Sequence, residues 1–366
     1  MTVLADWAAS GVLALTGRPT GPPRIPPGRA ATWVREQLAT LSLDIPGLLS
    51  ERAAYAGLRR NGPRSCGGAF RILPTLDGHV GLSLVRPEDV ALLPALTAGE
   101  HDLDAWAART RTADAAERLE LLGLPGGAVP TPDPGNAVTW SVLGERVRTE
   151  RPLVVDLTGL WAGPLCAHLI GRLGARVVKV ESTTRPDGAR RGPRRFFDLL
   201  HGGHEQRVVD LGRDLDQLRE LLAQADLVLE SSRPRALHQL GLVAEEFVAR
   251  GTSWLSITAR GRSSLAVGFG DDVAARAGLV VADDDDLLPV GDALADPLAG
   301  VAAAVAAHAA LASAESRLIE VSMLGVAAAT MGPAAAGHVF RGDSGWWAED
   351  EHGRYAVDPP RERGCS

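Results

Sequence analysis

A short turn containing glycine and proline follows the first long apolar run in the second half of the chain. The run Leu153 to Thr158 (LVVDLT) leads through Thr158 to Pro164 (TGLWAGP) into an apolar stretch typical of a helix. A glycine at position 163 lets a ligand approach the backbone closely, and Pro164 suits the first turn of a helix. The free N–H groups and positive dipole end of such a helix fit a pyrophosphate. The turn is not the G-x-G-x-x-G motif, which disfavours NAD.

A basic segment follows the next apolar run. That run ends in Lys179, Val180 and Glu181, and the segment Thr184 to Arg195 then carries five arginines: Arg185, Arg190, Arg191, Arg194 and Arg195. Each guanidinium offers two parallel donors to phosphate oxygens, so the segment could hold a phosphorylated ribose. A solvated basic loop is an equally good interpretation, and the sequence leaves both open.

The elements that must position these residues alternate between strands and helices. This rhythm is expected of a parallel sheet with helices on its faces, and short right-handed connections give an α/β, Rossmann-like core. The predicted strands are Leu153–Thr158, Arg176–Val180, Arg207–Leu211, Leu227–Glu230 and Trp254–Thr258, with helices at Gly163–Leu173 and Leu215–Ala225.

The domain organisation is predicted from changes in composition. Leu124 to Asn136 (LPGGAVPTPDPGN) collects proline and glycine and cannot hold a regular element. Before it, two short β-like runs flank the turn Thr75 to Gly78 and predict a hairpin. We expect residues 1–135 to form a helical segment plus a smaller α+β lobe, 150–340 the Rossmann-like domain, and 341–366 a C-terminal tail.

Three stretches between Val154 and Leu242 resemble family III CoA-transferases in the order that this family shows. They are VVDLTGLWAGPLCAHLIGRLGARVVKVE, LLHGGHEQRVVDL and ADLVLESSRPRALHQLGL. The family includes formyl-CoA transferases, carnitine CoA-transferases and α-methylacyl-CoA racemases. The resemblance implies a Rossmann-like domain that binds coenzyme A, with acyl-CoA and a carboxylic acid as substrates.

The resemblance also implies residues that contact coenzyme A along these motifs. They lie in the first turn, at the second strand end, and in two stretches similar to NRGKR and ENFRPG. Glu205, Gln206 and Ser231 depart from the family pattern. The implied contact residues are Trp161, Ala162, Gly163, Lys179, Glu181, His204, Ser231, Ser232 and Arg233.

The catalytic residue of the family is an aspartate that begins a helix soon after the strand predicted at Trp254–Thr258. Asp272 stands at that place, with Asp271 as the second candidate. A carboxylate can attack an acyl-CoA thioester and then carry the CoA itself. An aspartate at a helix start is also a good cap. We expect Asp292 and Asp296, further along, to be helix-start residues.

The N-terminal part resembles segments that follow the catalytic aspartate in the family, so the order looks permuted or fused. Asp6, in DWAASGVLALTGRPTGPP, then becomes a third candidate nucleophile, although an ordinary polar residue near the terminus is the simpler interpretation. The racemases of the family pair a histidine with an aspartate. His168, His201 and His204 are available for that role, but none lies in a clear racemase motif.

Bulk composition narrows the class of protein. A net charge of −7 and a pI near 5.8 argue against nucleic-acid binding. Three cysteines without C-x-x-C spacing make disulfides and a zinc site unlikely, so we expect no metal. The run Asp283 to Asp286 is interpreted as a solvated loop. The apolar stretch Ala299 to Ala312 indicates a buried helix, and we expect no membrane association and a cytoplasmic location.

The sequence therefore predicts an enzyme that moves coenzyme A from an acyl-CoA to a carboxylic acid through an aspartyl-CoA intermediate. An acyl-CoA racemase is the alternative within the same family. A second alternative is a non-catalytic CoA-binding chain whose site a partner completes. Family members are interlocked dimers, which implies a homodimer.

Overall fold

The N-terminal part of the chain consists of short helices that pack onto the main domain. The computed structural model describes residues 1–232 and 234–363. Trp7, Val12 and Val34 from this part lie in the same hydrophobic core as the strands and helices of the second half. The start of the chain is therefore part of the main domain, not a separate unit as the predicted boundary implied. The helices are α1 (Val3–Ala9), α2 (Val12–Leu15), α3 (Ala30–Thr40) and α4 (Glu51–Ala56).

A small α+β lobe follows, as predicted. Its three antiparallel strands have the order β1-β2-β3, with Phe70 opposite Ser83 and Pro74 opposite His79. Leu73, Trp106 and Leu119 form its own core beneath two of its helices. The elements are β1 (Phe70–Pro74), β2 (His79–Ser83), α5 (Pro87–Ala91), α6 (Leu93–Leu96), α7 (Leu103–Arg109), α8 (Thr112–Leu122) and β3 (Gly126–Ala128).

The second half contains a seven-stranded sheet with order β4-β12-β9-β8-β5-β6-β7. All neighbours are parallel except β4, which runs antiparallel to β12. The elements up to its fifth parallel strand are β4 (Val138–Glu145), β5 (Leu153–Asp156), α9 (Ala162–Arg172), β6 (Arg176–Ser182), α10 (Arg194–His201), β7 (Glu205–Val209), α11 (Leu215–Gln224), β8 (Leu227–Glu230), α12 (Pro234–Gln239), α13 (Ala244–Ala249) and β9 (Ser253–Thr258).

The last part of the chain completes the sheet and adds two smaller ones. A hairpin, β10 with β11, precedes the longest helix, and a three-stranded antiparallel sheet lies near the end. The elements are α14 (Gly270–Arg276), β10 (Val280–Asp283), β11 (Asp286–Pro289), α15 (Ala295–Ala312), β12 (Glu315–Ser322), α16 (Met323–Ala329), β13 (His338–Gly342), β14 (Gly345–Asp350) and β15 (Gly353–Ala356).

The side chains of the parallel strands alternate between the two faces of the sheet. Val154 and Leu229 pack with α9 and α15 on one face, whereas Val155 and Val228 pack with α11 and α13 on the other. Both faces are covered, which explains why these strands read as continuous apolar runs in the sequence. The α/β class with a Rossmann-like parallel sheet and a smaller α+β lobe is confirmed.

Helix α15 supplies much of the main core. Among the described residues it is the one helix long and apolar enough to cross a membrane by length and composition, with 61% of its 18-residue window buried inside the fold. Leu298, Val301 and Ala303 are fully buried in that core. The predicted buried helix at Ala299–Ala312 therefore lies within α15.

Two sequence-based assignments differ from the structure. β4 pairs into the main sheet although it precedes the predicted boundary at 150, and β13 spans the predicted boundary at 340. The run at Asp283 was predicted to be solvated, but Asp283 is buried and bonded to Arg18 and Arg24. The long-range pairing of β4 with β12, and the ion pairs from the N-terminal part, have no local sequence signal.

Gly163 offers a test of packing beneath the turn after β5. A Cβ atom built there would lie 2.1 Å from Oγ1 of Thr158. We expect Gly163→Ala to lower the free energy of unfolding by about 2 kcal/mol, since overpacking forces the neighbours to shift. Urea denaturation measures this change in the free energy of unfolding. Gly67→Ala is the control, because no described atom lies within 4 Å of its added Cβ. Equal stability of both variants would contradict the packing described here.

Candidate functional site

The parallel strands bring the ends of β5, β6, β8 and β9 to one edge of the sheet. The chain continues from β5 to β6 on one side, and β8 lies on the other side of β5. This is the position where the strand order reverses, and open α/β sheets bind ligands in the crevice outside it. The turn after β5 holds Trp161, and the segment after β8 holds Ser231 and Ser232. The fold therefore places two of the predicted CoA-contacting segments beside this crevice.

Trp161 connects this turn with the N-terminal part of the chain. Its ring is 2% exposed, and the edge of Phe196 packs against it with 5.5 Å between ring centroids. The guanidinium of Arg52 lies over the indole, 5.6 Å from its centroid. Nε1 of Trp161 is buried and has no hydrogen-bond partner among the described residues. A buried indole N–H normally has an acceptor, so this donor is available to a ligand.

Gly163 does not open space for a ligand, as its sequence context suggested. The side chain of Thr158 fills the volume that a Cβ at position 163 would occupy. Ala162 next to it is also buried. The glycine therefore serves the packing of the turn against β5, and its predicted contact with a ligand stays a prediction.

The side chains of Lys179 and Glu181 stabilise the turn after β5. The Lys179 side chain is 0% exposed, and its Nζ donates to the carbonyl of Thr158 and, at 3.0 Å, to Oδ2 of Asp187. The other oxygen of Asp187 accepts a hydrogen bond from the backbone N–H of Leu160 at 2.9 Å. Glu181 accepts hydrogen bonds from Arg190 and from the N–H of Asp187. These groups are already paired, so the geometry assigns them to positioning the turn.

The segment after β8 lies beside a cavity of about 450 Å³. Glu230 and Arg262 line this cavity, with apolar residues of α12 and α13 around them. Ser231 is exposed, whereas the hydroxyl of Ser232 is buried without a partner among the described residues. Arg233, which the resemblance also implied, lies outside the described residues.

The three histidines lie together, away from the predicted catalytic aspartates. His201 and His204 are in edge contact, 5.9 Å between centroids. Burial lowers the pKa of His201 to about 4 and that of His168 to about 3, so both are neutral at pH 7. The carboxylates that act on His201 are those of Asp156 and Asp187. Within residues 1–232 and 234–363, no histidine forms a hydrogen bond or ion pair with Asp272.

Four aspartates converge where two helices begin. Asp271 and Asp272 lie in the first turn of α14, and Asp292 and Asp296 lie at the start of α15. Gly270 allows this approach, because a Cβ there would lie 2.2 Å from the carbonyl oxygen of Ala293 and 2.6 Å from Oδ2 of Asp296. We call these four residues the acidic cluster.

Asp272 is one of the two fully buried members of the acidic cluster, together with Asp292. It is 0% exposed, and its Oδ1 accepts hydrogen bonds from the hydroxyl of Ser83 at 3.0 Å and the N–H of Phe269 at 2.8 Å. Its Oδ2 is buried without a partner among the described residues. Burial raises the pKa of Asp272 to about 7. Asp272 therefore caps α14 and still has one free oxygen.

Arg52 from α4 is the cation that faces the other three aspartates. Its Nη2 donates to Oδ1 of Asp292 at 2.5 Å, and its charge also acts on Asp271 and Asp296. Burial raises the pKa of Asp296 to about 7 and of Asp292 to about 6, and it raises the pKa of Asp271. Arg52 opposes each of these shifts. Several carboxyl groups share one cation, so the cluster holds protons near neutral pH.

Asp296 differs from the other three aspartates in its combination of solvent exposure and hydrogen bonding. It is partly exposed, whereas Asp272 and Asp292 are buried. Asp271 is also partly exposed, but its Oδ1 accepts a hydrogen bond from the N–H of Ala293 at 2.7 Å. No described residue donates a hydrogen bond to the Asp296 carboxylate. Asp296 is therefore the partly exposed member whose carboxylate accepts no hydrogen bond from a described residue.

Asp6, the third predicted nucleophile, lies elsewhere. Both its oxygens accept hydrogen bonds from Arg35, at 3.0 and 3.1 Å. It lines a cavity of about 240 Å³ with residues of α3 and the following loop, and no member of the acidic cluster lines that cavity. The geometry makes it one half of a structural ion pair.

Sequence reasoning missed Arg52, Ser83 and the part that Asp292 and Asp296 play. Arg52 and Asp292 are 240 positions apart, so only the fold shows their contact. The carboxylates of α15 had a visible signal in GDALADPLAG, but it was interpreted only as a helix start. Within residues 1–232 and 234–363, no group of three or more His, Cys, Asp or Glu side chains is arranged to hold a metal ion.

A match to a family model shows to which protein family the chain belongs. Residues 152–356 match the model described as CoA-transferase family III, which is more than half of the chain. The chain belongs to this family. The family consists of enzymes that use coenzyme A thioesters. The prediction that the sequence belongs to this family is confirmed.

Three curated relatives illustrate the range of the family. Succinyl-CoA–D-citramalate CoA-transferase of Chloroflexus aurantiacus is 28% identical over 48% of this chain and 50% of its own. Acetyl-CoA:oxalate CoA-transferase of Acetobacter aceti is 32% identical over 26% of each chain. Human alpha-methylacyl-CoA racemase is 37% identical over 25% of this chain and 22% of its own. The chain spans half or less of the length of these relatives.

The acidic cluster predicts a pH dependence of stability. The pKa of Asp272 is raised from 3.8 to about 7 in the folded chain, so its favourable contribution is complete below about pH 4 and is lost as the pH rises through 7. Asparagine keeps the Oδ1 contacts and does not ionise. We expect Asp272→Asn to gain more than about 1 kcal/mol of stability relative to the native chain between pH 5 and pH 8.

Urea denaturation at several pH values gives this difference. Asp77→Asn is the control, because Asp77 is an accessible carboxyl whose pKa is lowered by hydrogen bonds from Thr112, and its effect is constant over that range. A difference for Asp272→Asn that does not change with pH would show that Asp272 is ionised throughout.

Proposed function

We propose that the chain catalyses transfer of coenzyme A between an acyl-CoA and a carboxylic acid through an aspartyl-CoA intermediate. The observation that carries this proposal is the acidic cluster, in which three of the four carboxylates face Arg52 next to the turn that would hold coenzyme A. The family and the names of the two transferase relatives support the same reaction class.

The chemistry requires a carboxylate that can act as nucleophile, be esterified and be released. In the first step, an aspartate oxygen bonds to the thioester carbon while the carbon–sulfur bond breaks, giving a mixed anhydride and CoA thiolate. The thiolate then attacks the aspartyl carbonyl, forms aspartyl-CoA and releases the donor acid. The acceptor carboxylate repeats the two steps in reverse order, which gives the new acyl-CoA and restores the aspartate.

Asp296 is our proposed nucleophile, and Asp272 is its competitor from sequence analysis. A thioester must reach the attacking oxygen, and Asp296 is the partly exposed member without a hydrogen-bond donor. Asp272 is buried and holds the N-terminus of α14. In this arrangement Asp271, whose Oδ1 accepts a hydrogen bond from the N–H of Ala293, joins the two helix starts, and Arg52 holds part of the cluster ionised.

Coenzyme A would lie across the crevice at the strand ends. The free Nε1 of Trp161 and the hydroxyl of Ser232 are buried donors without partners, and Arg52 connects Trp161 to the acidic cluster. A ligand that reaches from the turn after β5 towards Asp296 would pass these groups. The acyl group would then approach the side of α14 that faces the small lobe, where a cavity of about 770 Å³ ends at Arg276.

An acyl-CoA racemase is the second candidate function. The 37% identity to human alpha-methylacyl-CoA racemase over 94 residues favours it, and carboxyl groups with raised pKa values can move a proton at neutral pH. It differs from the transferase in needing no acceptor acid. Deuterium uptake at the α-carbon of a branched acyl-CoA, without acid, would select the racemase.

Assembly is a further part of the proposal. The family resemblance favours a homodimer, and a partner-dependent chain is the alternative because this chain spans half or less of the length of its relatives. Turnover by the purified chain alone, across several acyl-CoA donors, excludes the partner-dependent reading. Sedimentation of the same sample gives the oligomeric state.

The nucleophile is tested by exchange of labelled acid into acyl-CoA. We expect Asp296→Ala to lower the exchange rate by at least about 1,000-fold, since the covalent carrier is lost, while CoA binding persists. Asp272→Asn should retain more activity, because its role is to position α14. Loss in Asp272→Asn with full activity in Asp296→Ala would transfer the nucleophile to Asp272.

The charge of Arg52 is expected to influence how the reaction rate depends on pH. Its charge lowers the pKa values of Asp271, Asp292 and Asp296, so its removal raises them. We expect the acid limb of kcat/KM in Arg52→Gln to move to higher pH by about one unit or more. Arg59→Gln, an exposed change on the same segment, is the control. An unmoved acid limb would mean that Arg52 does not govern the ionisation of the nucleophile.

A further inference from the structure

A basic cavity lies at the edge of the sheet where β5 and β6 begin, opposite the edge proposed for coenzyme A. Its volume is about 710 Å³, within the range of small-molecule sites. The end of α9, the start of β6, the end of α10 and the loop before β7 surround it. None of the residues that line it belongs to the acidic cluster or to the turn after β5, and of the coenzyme A contacts implied by the family resemblance only His204 lies in its lining.

Four arginines line this cavity: Arg151, Arg172, Arg176 and Arg363. Arg176 is paired with Glu205 at 2.9 Å, and Arg363 is paired with the buried Glu51. Arg151 and Arg172 have no acidic partner within ion-pair distance among the described residues. Asp198, the remaining acid in the lining, is itself paired with Arg194 at 3.4 Å. The cavity therefore has more positive charge than its own carboxylates neutralise.

The lowered pKa of a neighbouring histidine reflects the same positive charge. Burial lowers the pKa of His168 to about 3, and the next causes are Arg363, His204 and Arg172. Nδ1 of His204 is buried and has no hydrogen-bond partner among the described residues. A neutral imidazole has one donor and one acceptor, so His204 has capacity for a ligand.

Helix ends alone do not explain this charge. Arg172 lies in the last turn of α9, where a cation interacts favourably with the helix dipole. Arg151 lies outside the helices, before β5, so the dipole gives no reason for its place beside Arg172. Two unpaired guanidinium groups facing one concavity in a chain of net charge −7 fit a multiply charged anion.

We propose that this cavity is a second ligand site, which binds a small phosphate-bearing anion through Arg151 and Arg172, separately from coenzyme A. The site goes beyond the proposed transfer reaction and does not depend on it. Because α9 connects the cavity to the turn that carries Trp161, an anion bound here would contact the helix whose other end faces the proposed CoA crevice.

Isothermal titration of the full chain with inorganic pyrophosphate at low salt tests the proposal. We expect saturable binding that weakens at least about tenfold in Arg151→Gln/Arg172→Gln, because charge-assisted hydrogen bonds are lost. Arg59→Gln/Arg118→Gln is the matched control, since it removes the same charge from exposed positions that do not line the cavity. Its affinity should change less than about twofold.

Coenzyme A is titrated into the same three samples, and thermal unfolding checks that each variant is folded. Unchanged CoA affinity in the cavity variant supports a separate site. No pyrophosphate binding by the native chain, or equal loss in both double variants, would overturn the proposal. Parallel loss of CoA and pyrophosphate binding would also overturn it, because the cavity would then belong to the CoA site. Failure of the transferase assay leaves this binding result unaffected.

Discussion

The ion pair between Arg52 and Asp292 joins the parts of the chain on which the candidate site depends. Arg52 comes from α4, Asp292 from the start of α15, and the guanidinium also lies over Trp161 at the end of the first crossover turn. Four buried or half-buried carboxylates without a cation would be costly at neutral pH. The N-terminal helices therefore have to pack onto the main sheet for the acidic cluster to exist in an ionisable form.

Contacts with the N-terminal part and the small lobe extend over the whole second half of the chain. Trp7 and Val12 lie in the same core as Val154 and Leu298. Ser83 from the small lobe bonds to Asp272, and Asp283 of the β10–β11 hairpin binds Arg18 and Arg24 of the N-terminal part. The fold thus brings together residues that lie far apart along the chain.

The sequence was informative where the signal is local. Leu227–Glu230 was predicted with its observed bounds, and the strands at Leu153, Arg176 and Trp254 differ from the structure by one or two residues at their ends. Their apolar runs are continuous because both sheet faces are covered. β4 and β12 were not predicted, since the exposed β4 forms only by pairing with a strand far along the chain.

The candidate site could also be predicted only where the sequence signal is local. Asp271 and Asp272 were named as candidates because the family resemblance implies a catalytic aspartate at this helix start, whereas the contact of Arg52 with the cluster is visible only in the fold. Lys179 was recognised by motif, but its burial and its bonds to Thr158 and Asp187 give it a positioning role that spacing alone cannot reveal. Identification of the peptide that carries CoA tests the account most directly. Borohydride reduces an aspartyl-CoA thioester to the alcohol and releases CoA, so after incubation with acyl-CoA and borohydride, mass spectrometry should find the reduced residue at position 296. A reduced residue at another aspartate such as Asp6, or none in an active enzyme, would contradict the account.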